Sequence, residues 1–379
     1  MSAPGQSMRV VQLLPALNEG GVERGVMELN REYVARGVES VVISRGGKLV
    51  PEIERHGGRH ITLDVASKNP LTVPFRVMQL RRVLRELRPS IVHARSRVPA
   101  WLCVLANRRP RFPFVTTVHG LNRVNPYSRV MTFGDRVICV SEVVMAHIQK
   151  NYNTPTERIT VIQRGVDLRV FDPGKVDASF VAEFRAKHNL AARKVVMSVG
   201  RVTRLKGYED FIDAIGILRG AIPSAVGMIV GGAGGKEDYL AELEARVERL
   251  GLRGQIIFAG SQSSMAEIYS VADVLVNCSP IMPNVQRTIV ESLAMNTPVL
   301  ATHQEGLNHL VRDGVNGFII NTRDAADLAA KAVKALVLSR ANIRGTIPAE
   351  FALDAMVNGT LGVYQNLLAS HPATKEHQP

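Results

Sequence analysis

Cysteine is the first shortage in this chain: three residues in 379, at positions 103, 139 and 278. An odd number, far apart and in no metal-ligand spacing, excludes a disulfide framework and fits a reducing compartment. Long apolar runs are missing too; none approaches the ~18 residues that span a bilayer. The start, Met1-Ser2-Ala3-Pro4-Gly5, has neither the basic nor the apolar region of a secretory leader. The expectation is therefore a cytoplasmic protein, or one held on a membrane face. Glycine fingerprints fail as well. Gly20-Gly21 lack the G-x-G-x-x-G spacing of dinucleotide binders, which leaves a Rossmann dehydrogenase a poor reading. Gly231-Gly232-Ala233-Gly234-Gly235-Lys236 misses a P-loop, because Val230 stands where Gly is needed and Glu237 where Ser or Thr is needed.

Acidic residues are short: 34 Asp+Glu against 47 Lys+Arg, a net charge of +13. Residues 1–180 hold 27 basic and 15 acidic side chains, so +12; the remainder holds 20 and 19, so +1. Such asymmetry points to an anionic partner of the first half, a lipid surface or a phosphorylated lipid acceptor, with a solvated basic face as the plain alternative. No helix-turn-helix, zinc-finger or RNA-recognition signature accompanies the charge, so nucleic acid is not expected as a partner. What is present is ordinary. At 46% hydrophobic and 21% charged, the chain has a globular composition, and its length suits two domains.

The pattern along the chain is apolar run, glycine or polar turn, amphipathic helix, repeated. Strands are expected at 9–15, 40–44, 61–64, 91–94, 114–118, 137–140 and 159–163, then at 195–199, 227–230, 256–259, 274–277, 299–301 and 317–320. Helices between them include 21–35, 75–87 and 142–151, then 208–218, 236–250, 288–295 and 325–336. Alternation at these lengths means an α/β chain with two parallel sheets, each covered on both faces: two doubly wound Rossmann-like domains. Phe171-Asp172-Pro173-Gly174-Lys175 breaks the pattern and marks the boundary, giving domains 1–172 and 176–350 with a last helix from about 353. In open sheets of this kind, ligands bind beyond the carboxyl ends of the strands.

Those ends carry the candidate residues. Val199-Gly200-Arg201 with Lys206-Gly207 sets two cations at a strand end ahead of a helix, and two cations suit a diphosphate. Arg287 and Thr288 open a later helix whose free N–H groups can help hold phosphate, and Glu291 in its first turns suits the hydroxyls of a ribose. The plain alternative for Glu291 is compensation of the helix dipole. Together they describe a site for a nucleoside diphosphate carrying a sugar. Gly232 reads as a nucleotide-side turn with close backbone approach. Gly20 and Gly21, after the first strand, let backbone come close to a ligand at a helix N-terminus, or form a strand-to-helix turn only. His119 ends the strand 114–118, as a ligand-facing imidazole or a satisfied structural one. His93, Arg95 and Ser96, at the previous strand end, are acceptor-side candidates.

Val199-Gly200-Arg201-Val202 with Lys206-Gly207, Tyr269 with Ala272-Asp273, Glu291-Ser292-Leu293-Ala294 with Thr297-Pro298-Val299, and Asp313-Gly314-Val315-Asn316-Gly317 occur in an order and spacing that resemble a retaining glycosyltransferase of family four. The resemblance covers 9 to about 368. It implies the GT-B fold, two such domains facing a cleft, with the last helix returning to the first domain. It implies that Arg201 and Lys206 stabilise the leaving diphosphate of a UDP- or GDP-linked sugar, that Glu291 binds ribose, that Gly20-Gly21 lie near the donor phosphates, and that His119 is the cleft histidine. Glycosyltransferases of the other major fold use Asp-x-Asp to hold a divalent cation. No Asp-x-Asp occurs here, so no metal and no cofactor beyond the co-substrate is expected.

The chain departs from the family at Pro283-Asn284-Val285-Gln286, where the family has a second Glu that grips the donor sugar, and at Glu305-Gly306, where it has Gly-Gly. Asn284 and Gln286 are neutral substitutes. The expected activity is sugar transfer to a glycolipid, lipopolysaccharide or similar acceptor. The rival expectation is a nucleotide-sugar-binding protein that has lost transfer. The segment 75–88 carries apolar and basic faces suited to an anionic membrane surface, with an ordinary exposed helix as the alternative.

Overall fold

The computed structural model describes residues 7–18, 20–109, 111–281, 286–303, 307 and 309–370. Among them, two compact units form: residues 1–165 with 353–379, and residues 166–352. In the first unit lie β1 (Arg9–Leu13), β2 (Glu39–Ser44), β3 (Arg59–Thr62), β4 (Ile91–Ala94), β5 (Phe114–Val118), β6 (Arg136–Cys139) and β7 (Ile159–Val161). They make one sheet in the order β3-β2-β1-β4-β5-β6-β7, every pair parallel. The second unit holds β8 (Lys194–Val199), β9 (Ala225–Val230), β10 (Ile256–Gly260), β11 (Val274–Asn277), β12 (Val299–Thr302) and β13 (Gly317–Ile320). Their order is β10-β9-β8-β11-β12-β13, again all parallel.

Parallel strands covered on both faces read as unbroken apolar runs. β9 and β11 are buried at every residue. Helices on both faces supply the remaining core, for example Phe211, Ile212 and Ile215 of Tyr208–Ala221 against Ile229 and Val276. In each sheet the strand order reverses once, between β1 and β4 and between β8 and β11. Crevices open at such switch points, beyond the carboxyl ends of the two diverging strands.

The boundary lies earlier than Pro173-Gly174 suggests. Val166 and Phe171 are already buried in the second unit's core, where Phe171 packs 6.0 Å from the Tyr269 ring, centroid to centroid. Proline and glycine mark a break in periodicity, whereas the boundary follows the apolar contacts. The helix Leu353–Ser370 returns to the first unit, packing Val357, Leu361, Tyr364 and Leu367 against Val10, Leu29 and Val115.

Candidate active site

The switch point of the second sheet collects most of the expected donor residues. β8 ends at Val199, and Gly200 then turns the chain so that Arg201 is exposed. Space there is tight. A Cβ on Gly231, whose φ is +150°, would meet the Gly200 carbonyl oxygen at 1.9 Å, and the Tyr208 hydroxyl donates to that same oxygen at 2.7 Å. Gly207, at φ +67°, abuts the Cys278 carbonyl beyond β11, and the Cys278 thiol donates to the Gly207 carbonyl at 3.0 Å. These contacts bring Lys206 beside the residues that follow β11.

Lys206 donates to the Gln286 side-chain oxygen, and Gln286 donates in turn to Ser279 Oγ at 3.0 Å. Burial, and then the Arg201 charge, pulls the Lys206 ammonium down to about 8. No carboxylate pairs with Lys206 or Arg201 among the described residues. Arg204 behaves otherwise: it pairs with Glu242 at 2.5 Å and lies 4.7 Å from the Tyr239 ring centre. Its charge is spent locally, so the pair Arg201 and Lys206 stands without it.

Helix Arg287–Ala294 begins next to Gln286, which caps it without a side-chain hydrogen bond. The Thr288 hydroxyl is buried there with no partner. An uncapped helix start with an orphaned hydroxyl is a ready place for phosphate oxygens. Glu291 is buried, and each of its oxygens is engaged: Oε2 accepts from Tyr269 at 2.9 Å, and Oε1 accepts from Arg287 Nε at 3.1 Å. A carboxylate has about four acceptor positions, so capacity remains for hydroxyl donors. Gly232 accepts from Val202 N at 3.0 Å, and a Cβ there would meet Ser261 Oγ at 2.6 Å. Pro283, Asn284, Val285, Glu305 and Gly306, where the sequence departs from the family pattern, lie outside the described residues.

The first unit has a site of its own. A cavity of about 350 Å³ opens at the β1/β4 switch point, with Arg95, Ser96, Arg97, Thr117 and His119 in its wall. Both ring nitrogens of His119 are buried without a partner. Burial, then Arg164 and Arg95, holds its pKa well below the usual imidazole range, so the ring is neutral at pH 7. Gly20 caps helix Gly21–Ala35 without a side chain, and a Cβ on Gly21 would sit 3.0 Å from Arg164 Nη1. Gly21 thus leaves room for the Arg164 guanidinium at the helix start, where the sequence offered either close approach of a ligand or a plain strand-to-helix turn.

His93 is not an acceptor ligand. It is fully buried, with Nδ1 2.5 Å from the Tyr364 hydroxyl and Nε2 2.7 Å from Thr117 Oγ1. It fastens the last helix to the sheet. Ser141 is a helix cap, accepting from Val144 N at 3.2 Å. Arg97 and Gln286 are the residues that sequence reasoning underused. Arg97 follows a strand end by three residues, the signal that did single out Arg95.

No group of three His, Cys, Asp or Glu side chains among the described residues is placed to hold a metal ion. No helix among them is long and apolar enough to cross a membrane.

Residues 19–170 match the family model described as Glycosyltransferase Family 4, and residues 193–337 match that of glycosyl transferases group 1. Over 364 residues the chain is 28% identical to the lipopolysaccharide core biosynthesis glycosyltransferase LpsE of Rhizobium meliloti, spanning 93% of this chain and 97% of that one. It is 28% identical over 309 residues to the D-inositol 3-phosphate glycosyltransferase of Mycolicibacterium smegmatis, spanning 75% and 69%. A solved glycosyltransferase from Rickettsia africae superposes with a TM-score of 0.87 at 26% identity, over 97% of this chain and all (100%) of that one. The Anabaena HepE protein in complex with UDP and glucose superposes with a TM-score of 0.81 at 20% identity, over 95% and 100%.

Proposed function

The chain belongs to the group 1, family-four glycosyltransferases, and from that premise we propose that it transfers a sugar, with retention of configuration, from a UDP- or GDP-linked donor to a glycolipid, lipopolysaccharide or similar acceptor. One observation carries the donor assignment. Two cations without ion pairs among the described residues, an orphaned Thr288 hydroxyl and an uncapped helix start meet at one switch point. This is unmatched positive character awaiting a polyanion. LpsE, and HepE with its UDP and glucose, are in keeping with the acceptor and the donor.

The chemistry follows from charge. As the glycosidic bond to the diphosphate breaks, negative charge grows on the departing oxygens. Arg201 and Lys206, already in position, stabilise that charge more than the ground state. Lys206 needs no reorganisation because Gln286 holds its ammonium. Glu291, oriented by Arg287 and Tyr269, accepts from the ribose hydroxyls. The acceptor attacks from the face the leaving group departs, and a departing phosphate oxygen takes its proton. His119, in the first unit's cavity, offers a neutral imidazole to a hydroxyl of a sugar bound there. The two cations would do the work that a divalent ion does in glycosyltransferases of the other major fold. Such an acceptor, with a first unit carrying 26 basic and 14 acidic residues, suits work on the inner face of an anionic membrane.

The test is the Arg201→Ala/Lys206→Ala double variant, assayed on a panel of UDP- and GDP-sugars. Turnover should fall by roughly 10²–10³ without loss of folding. A normally melting double variant that transfers near the wild-type rate would show that the donor site lies elsewhere.

A further inference from the structure

We propose that the cavity at the β1/β4 switch point is an oxyanion subsite, which takes a phosphate monoester or carboxylate carried by the acceptor. Naming the ligand as acceptor rests on the transferase reading; the anion site rests on the geometry alone.

Arg95 carries the argument. It is 8% exposed, so its guanidinium lies almost wholly out of solvent. Its Nη2 donates to Gln12 Oε1 at 2.7 Å and its Nη1 reaches Thr117 Oγ1 at 3.5 Å, both neutral groups. Its Nε is buried with no partner. No carboxylate pairs with it among the described residues. A buried charge without a counter-charge is costly, and proteins keep one where a ligand supplies the other sign.

The rest of the wall agrees. Helix Arg97–Ala106 starts there, and its cap residue Ser96 makes no side-chain hydrogen bond to the helix. Ten residues of helix therefore present an uncapped positive end to the cavity. Arg97 adds a second guanidinium, steadied 5.4 Å over the Tyr127 ring. His119, a neutral imidazole with both ring nitrogens unpartnered, adds one N–H donor. Among the described residues Glu23 is the one carboxylate in the wall, and it pairs with neither Arg95 nor Arg97. It suits a hydroxyl of the same acceptor. A neutral sugar would satisfy the idle donors and leave the Arg95 charge uncompensated. An oxyanion satisfies both.

The experiment uses the full chain and two probes, inorganic phosphate and acetate, read by thermal midpoint and titration calorimetry. Phosphate also suits the donor site, so the Arg201→Ala/Lys206→Ala variant is titrated in parallel. Saturable binding should persist in that variant and weaken about tenfold to a hundredfold in Arg95→Met, on the scale of a lost charge-assisted hydrogen bond. Arg97→Gln, on the helix start, gives the same reading if Arg95→Met does not fold. Preference for phosphate identifies a phosphate ester as the source, and preference for acetate a carboxylate. Unchanged binding in Arg95→Met and Arg97→Gln would overturn the subsite, as would a response that disappears with Arg201 and Lys206. A wild type that binds phosphate in this way yet turns over no sugar nucleotide would overturn the acceptor assignment instead.

Discussion

Lys206 is a cation held against its own desolvation. Its pKa falls from the ordinary 10.5 to about 8, through burial first and the neighbouring Arg201 second. If Lys206 binds the donor diphosphate as proposed, the protonated form is needed, and kcat/KM for the donor should fall tenfold per pH unit above about 8, where the free enzyme loses that proton. In the donor complex the diphosphate raises the pKa again, so kcat should hold to higher pH. Gln286→Leu removes the oxygen that accepts from the ammonium and should move the break to lower pH; an unmoved break would deny Gln286 its positioning role. Stability runs in the opposite sense. Folding disfavours the charged form, so the unfolded chain binds more protons between about 8 and 10.5, and the Lys206 contribution to stability improves as pH rises through that window. At pH 7 the charge costs on the order of 2–3 kcal/mol after screening by the water that reaches it. Lys206→Met should therefore melt a few degrees higher while losing transfer. The burial was not legible in the sequence, where Lys206 read only as one of two strand-end cations suited to a diphosphate. Its burial comes from Gly207 packing on the Cys278 carbonyl, a contact across about seventy residues of chain.

The helix Val73–Leu87 shows how an element divides its basic residues. Arg76 is buried, donating to the Ser67 and Asn69 carbonyls, and Arg81 donates to the Ala106 and Leu105 carbonyls. Both are structural. Arg82 and Arg85 face solvent, beside the exposed Phe75 and Met78. If this face meets an anionic bilayer, Arg82→Glu/Arg85→Glu should strongly reduce co-sedimentation with anionic vesicles, since each charge near the surface contributes about 1 kcal/mol. Arg81→Glu should instead lower the melting temperature. Binding should weaken with salt as the Debye length shrinks below ~10 Å. Equal sedimentation with neutral vesicles would assign the face to another partner. The pattern of 75–88 displayed an amphipathic helix but not which arginines it spends on backbone carbonyls. The strands were easier to read, because buried parallel strands are continuous apolar runs, and β4, β5, β11 and β13 fall where the pattern set them. Helix Arg97–Ala106 was harder: it is apolar nearly throughout, so little periodicity marks it.

At the scale of the molecule, charge is segregated. The unit of residues 1–165 and 353–379 holds 26 basic and 14 acidic residues, the unit 166–352 holds 21 and 20. If Arg201 and Lys206 serve the leaving group as proposed, transfer should survive dialysis against EDTA; a collapse restored by magnesium or manganese would refute that role for the cations. The sequence by itself determined the two doubly wound domains, since strand and helix alternation is local and repeated. It also determined Arg201, Lys206, Arg287, Thr288 and Glu291 as residues at strand ends and helix starts. Tertiary structure alone decided what each of them touches. It made His93 a fastening for Tyr364, locked Glu291 between Tyr269 and Arg287, and left Arg95 in a cavity wall with no carboxylate partner among the described residues. The reason is physical. Strand-end position follows from short-range pattern, whereas burial and pairing are set by residues tens to hundreds of positions away, which the fold alone brings within hydrogen-bond distance.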